Sequence, residues 1–144
     1  MTGRIAKRRG AIAAATAIAT SGFLLHNLME FSLSFLIRPE TLGPLGVTVL
    51  LLIIVCLRPG RATLATLTVW IGMHLFLGGP SVLPLPGLPF VPEQTLAHYV
   101  AHVFYAGAQL PMVLLGWQLL HNARPKGNDA TMRPESRDVT TPPC

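Results

Sequence analysis

Long apolar runs alternate along the chain with short breaks made of basic residues, prolines and glycines. The first run spans 11–37, from Ala11 to Ile37; Arg4, Lys7, Arg8 and Arg9 precede it and Arg38-Pro39-Glu40 closes it. A second covers about 42–57, with Gly43-Pro44 at its start and Arg58-Pro59-Gly60-Arg61 at its end. The third covers about 62–78 and meets Gly78-Gly79-Pro80, where paired glycines and a proline cannot cheaply continue a helix. The fourth covers about 92–120. Pro92-Glu93 suits its first turn, and Pro111 is expected to kink it near Gly107. A helix needs about 20 apolar residues to cross a bilayer. The first and fourth runs exceed that; the second and third are short and require local thinning or recruitment of flanking residues.

The pattern predicts an all-α membrane protein with a bundle of four transmembrane helices in residues 1–121. Between the third and fourth helices, residues 79–92 carry five prolines among apolar spacers. This loop is expected to lie over the mouth of the bundle on the extracytoplasmic side. Residues 122–144 are polar and aperiodic, which predicts a disordered tail. The basic start and the Ala-Ile-Ala before Thr20 also imitate a signal peptide, but the apolar run continues far past that point, which favours a retained span.

Composition agrees with the pattern. The 144 residues are 51% hydrophobic and 12% charged, with a mean hydropathy of +0.51. Soluble domains carry about 25% charged residues, so lipid is the expected surrounding. The net charge of +5 comes from basic residues at the ends of apolar runs, without interleaved aromatics, which argues against nucleic acid as a partner. With four crossings, Arg4, Lys7, Arg8, Arg9, Arg58, Arg61, Arg124 and Lys126 share one side and Arg38 is left on the other. The positive-inside rule then puts both termini in the cytoplasm. Richness in Ala, Gly, Pro and Arg suggests a bacterial inner membrane. Trp117 fits an interfacial anchor. Cys56 and Cys144 suggest neither a disulfide framework nor a metal motif.

Candidate chemistry lies in the ionisable residues inside the spans: His26 and Glu30 in the first helix, His74 in the third, His98 and His102 in the fourth. Such groups cost about 2.5–3.5 kcal/mol each when charged and unpaired. At about 1.5 Å per residue all five fall in the half of the membrane away from the termini. His26/Glu30 and His98/His102 are both i, i+4 pairs, so each pair shares one helix face. The stripes extend through Tyr105, Gln109 and Met112 on the fourth helix and from Gly22 to Ser34 on the first. The second helix, without an ionisable residue in its span, is expected to pack or face lipid, and Ala13, Ala14, Ala15, Ala17 and Ala19 let the first helix approach a neighbour closely.

Imidazole and carboxylate from several helices suggest a transition-metal site (copper, zinc or iron), with His26, Glu30, His98 and His102 as ligands. His74 is placed as a fifth ligand or proton carrier, and His74 and Tyr105 as cofactor-binding residues. Met29 or Met73 would favour copper if either faced inward. The alternatives are a b-type haem held by two of His26, His74 and His102, with Gly22 and Gly72 opening the slot, or a non-enzymatic accessory subunit or proton-coupled carrier. A homo-oligomer or larger membrane complex is a natural partner for so small a chain. No nucleophile in a Gly-rich turn and no phosphate-cradling loop points to hydrolysis.

Overall fold

The computed structural model describes residues 2–31, 33–83 and 95–122. Among them only helices and turns occur: α1 (Thr2–Lys7), α2 (Arg9–Glu30), α3 (Pro39–Leu57), α4 (Arg61–Gly78) and α5 (Leu96–His121), with 3-10 turns at Leu33–Ile37 and Pro80–Val82. The last four helices are long and apolar enough to cross a membrane, measuring about 27–39 Å at 1.5 Å per residue. This is the make-up of a small multi-pass membrane protein. Residues 84–94, which hold most of the expected proline-rich loop and the Pro92-Glu93 start, lie outside the described residues, as does the tail from 123.

The first helix is shorter than its apolar run. It stops at Glu30, and Phe31 turns extended with its N–H still bonded to the Asn27 carbonyl. Hydropathy does not drop here, but the helix-forming tendency does: Phe31-Ser32-Leu33-Ser34-Phe35 mixes aromatic and serine residues. The chain folds into the Leu33–Ile37 turn, the Phe31 and Phe35 rings stack, and Ser34 therefore leaves the α2 stripe. Pro39 then sets the start of α3: the residue before a proline is driven extended, Arg38 is so, and Pro39 and Glu40 occupy the favourable first turn. Starting at Pro39 gives α3 19 residues, and Pro44 is accommodated inside it. Helix α5 begins at Leu96, capped by the Thr95 hydroxyl, which accepts from the His98 N–H, and continues through Pro111.

Helices α2 and α5 pair most extensively, followed by α4 with α5. The α2 face towards the core carries Ile12, Ala15, Thr16, Ala19, Gly22 and Asn27. On α5 it carries Ala101, His102, Tyr105, Gln109, Met112, Gly116 and Leu119, the expected stripe. Small residues set the separations: a methyl group on Gly22 would overlap Ala108, and one on Gly116 would overlap Thr68. Of the small residues of α2, Ala15 and Ala19 are buried, while Ala14 and Ala17 face outwards. Helix α3 has the highest mean hydropathy of the four and is the least enclosed by protein, so its outer face meets lipid. The Trp70 indole holds it to α4 by donating to Thr48 Oγ1 at 2.9 Å.

Most hydroxyl and amide groups described along these helices are satisfied inside the bundle, as a medium without water demands. Thr16, Thr20, Thr48, Thr66 and Thr68 each return their hydroxyl proton to the carbonyl four residues earlier. Gln109 donates to the Ala19 carbonyl at 3.1 Å. At one end of the bundle, where α2 begins and α5 finishes, Arg4 Nη1 donates to the Asn122 carbonyl at 2.9 Å. At the far end, α2 finishes beside the start of α5. The candidate residues lie there.

Candidate functional site

Three imidazoles from α2 and α5 meet in the far half of the bundle. The His26 and His102 rings stand edge to face with centroids 4.5 Å apart, and His98 and His102 have the same centroid separation. Glu30 faces into this group and not into lipid. Its Oε2 accepts a hydrogen bond from His98 Nδ1, with the two side chains only 14% and 13% exposed.

Hydrogen-bond directions fix where each ring carries its proton. His102 Nδ1 lies 2.7 Å from the Gly78 carbonyl, which can only accept, so that nitrogen bears hydrogen. For His26 the argument runs through three residues. The Thr41 hydroxyl donates its one proton to the Phe35 carbonyl at 3.0 Å, so it must accept from Asn27 Nδ2, also at 3.0 Å. Asn27 Oδ1 is thereby turned to His26 Nδ1 at 3.3 Å, and His26 is the donor. The Glu30 carboxylate imposes the same state on His98. With Nδ1 engaged in this way, each ring carries its lone pair on Nε2 when it is neutral.

Those lone pairs are poorly placed without a cation. His26 Nε2 and His102 Nε2 face each other at 3.2 Å, and His98 Nε2 is buried with no hydrogen-bond partner in the structure. Two acceptors in contact in a low-dielectric interior repel unless a proton or a metal ion lies between them. Even so, among the described residues no group of three or more His, Cys, Asp or Glu already stands in position to hold a metal ion together.

No known protein family, curated protein or solved structure matches this chain. Its chemistry has to be read from the geometry alone.

His74 stands apart from the three rings. Its Nδ1 is 3.0 Å from the Tyr105 hydroxyl, and its ring is enclosed by Trp70 and Phe23 at centroid distances of 4.8 and 5.6 Å. Tyr105 connects the two groups, because its ring also packs on His26 at 5.1 Å. Met29 and Met73 are 50% and 47% exposed, and Met73 lines a cavity with His74 and Tyr105. The haem arrangement does not suit the pair His26 and His102. Their nitrogens are in contact with no room for a porphyrin plane, and Ala108 fills the space beside Gly22.

Asn27, Thr41 and Gly78 complete the site, and sequence pattern carries little sign of them. Asn27 follows His26 directly and so falls off the i, i+4 stripe; Thr41 belongs to another helix. Gly78 reads as a helix terminator, yet its carbonyl holds His102 and its missing side chain makes room for the Tyr105 ring.

Proposed function

We propose that this chain is a multi-pass protein of a bacterial inner membrane, with both termini in the cytoplasm, that holds one transition-metal ion between α2 and α5. His26 and His102 bind it through Nε2, and His98 supplies the third nitrogen. Glu30 acts on the metal indirectly, as the carboxylate that orients His98. The carbonyl of Gly78 and the amide of Asn27 serve His102 and His26 in the same way.

One observation carries the reading: three imidazoles have Nδ1 tied to an acceptor, while two of their Nε2 atoms lie 3.2 Å apart and the third is buried without a partner. Metal-bound histidines characteristically give their other N–H to a carboxylate or carbonyl. The spacing also fits. Nitrogens 3.2 Å apart, each about 2.0–2.1 Å from a zinc-sized ion, subtend about 100° at it, close to a tetrahedral angle. An imidazole donor set suits zinc or copper, and three such ligands leave a fourth position open for water or a transferred ligand. Metal holding, with delivery to a larger membrane complex as its use, is the function proposed.

The 3.2 Å separation also supports a second reading, in which His26 and His102 share one proton as an imidazolium–imidazole pair. Elemental analysis of protein extracted in mild detergent separates the two. The metal reading expects about one zinc or copper per chain in the wild type, background in His26→Ala and His102→Ala, and a reduced content in Glu30→Gln. Equal, near-background metal in all four proteins, after incubation with zinc or copper, overturns it. A shared proton is then confirmed or rejected by the imidazole nitrogen NMR shifts of the wild type.

A further inference from the structure

A different feature lies at the end of the bundle where α2 begins, and it stands independently of the metal site. Helix α1 is only six residues long, too short to persist by itself in water. It is held by Ile5, which is 1% exposed and belongs to the same apolar core as Ile12 and Leu119. Anchoring α1 in this way fixes Arg4, Lys7 and Arg8 around a cleft of about 490 Å3, whose opposite wall is the last turns of α5.

The cleft has two kinds of lining. Arg4, Lys7, Arg8 and Gln118 supply donors, while Leu115 and Leu119 supply an apolar strip. One guanidinium nitrogen of Arg4 is engaged with the Asn122 carbonyl, which holds that side chain in place. No carboxylate balances the charge: among the described residues the acids are Glu30 and Glu40, and both lie at the far end of the bundle. Arg9, Arg58 and Arg61 add to the positive potential around it.

We propose that this cleft binds the headgroup of an anionic phospholipid, with the phosphate among Arg4, Lys7 and Arg8 and the first acyl segments along Leu115 and Leu119. Basic pockets between membrane helices favour such headgroups. A free phosphate would leave the leucine strip unused. The chain's own tail is a poor occupant, because residues 123–144 carry four Lys or Arg against three Asp or Glu.

Native mass spectrometry of the full chain in detergent, with phosphatidylglycerol and phosphatidylcholine of equal chain length, tests the proposal. The wild type is expected to retain phosphatidylglycerol about fivefold or more over phosphatidylcholine. The double variant Arg4→Gln/Arg8→Gln loses the preference, Arg4→Lys/Arg8→Lys keeps most of it, and Arg58→Gln/Arg61→Gln, outside the cleft, keeps it in full. Circular dichroism confirms that each variant is folded, and the Lys pair carries the test if the Gln pair is not. Four results overturn the proposal. They are equal retention of both lipids by the wild type, equal loss in the Arg58/Arg61 variant, displacement by millimolar inorganic phosphate, and a several-fold gain on deleting residues 123–144, which would make the tail the occupant.

Discussion

The two halves of the bundle are built from different materials. Near the chain's start, α2, α4 and α5 meet through Ile12, Ala15, Leu64, Leu67, Met112 and Leu119, and the hydroxyl of Thr16 reaches both the Ile12 carbonyl of its own helix and the Met112 sulfur of α5. Towards the far end the same α2–α5 pair meets through His26, Asn27, Glu30, His98 and His102, joined by hydrogen bonds that cross between helices. Near the chain's start, packing of small and apolar residues dominates, with only single cross-helix hydrogen bonds such as Arg4 to Asn122 and Thr16 to Met112. The concentration of imidazoles and a carboxylate at the other end supports a purpose beyond assembly. Substitutions in the apolar half should then cost stability, and those in the polar half the bound ion.

The largest effect is expected from His102→Ala, which removes one of the nitrogens proposed to bind the metal and one of the two donors to the Gly78 carbonyl, the Ser81 hydroxyl being the other. Bound metal should fall to background by elemental analysis, while unfolding in detergent shifts by only about 0.5–1.5 kcal/mol. Gly116→Leu, in the apolar half, is the converse. The new side chain collides with Thr68, and overpacking should lower stability by about 1–3 kcal/mol or more, read by thermal denaturation, with metal retained in whatever fraction stays folded. Loss of metal in folded Gly116→Leu protein would erase the distinction between the halves.

Asn27→Ala sharpens the comparison from within the polar half. Asn27 touches no ion in this account; it orients His26 and donates to Thr41, so metal affinity should drop about 10–100-fold, as for other orienting partners of metal ligands. A competitive chelator titration measures it. The smallest effect belongs to His74→Phe. That ring is bonded to Tyr105 and not to the three imidazoles, so metal content should be unchanged, and a loss as deep as that of His102→Ala would place His74 among the ligands.

Much of this plan is legible in the amino-acid sequence. Four apolar runs mark four helices, and the i, i+4 pairs put His26 with Glu30, and His98 with His102, on single helix faces. Spacing is informative because helix period is a local property that packing does not alter. The end of α2 escapes such a reading because Phe31 to Ile37 is as greasy as the helix that precedes it, and hydropathy does not distinguish a membrane helix from an apolar turn. The role of Glu30 is hidden for another reason: a carboxylate on the correct face is as suited to binding a metal as to holding His98. The hydrogen bond from His98 to its Oε2 supports the second. Asn27 and Thr41 act through a chain of donors and acceptors spanning α2, the Leu33–Ile37 turn and α3, and no periodicity records such a chain.

The central claim is that bare Nε2 atoms from α2 and α5 share one cation. X-ray absorption at the zinc or copper edge of metal-loaded, detergent-extracted protein tests it most directly. The account predicts two to three imidazole nitrogens at about 2.0–2.1 Å, with the second histidine contribution lost in His26→Ala. A spectrum dominated by carboxylate oxygens or sulfur, or one that His26→Ala leaves unchanged, would contradict it.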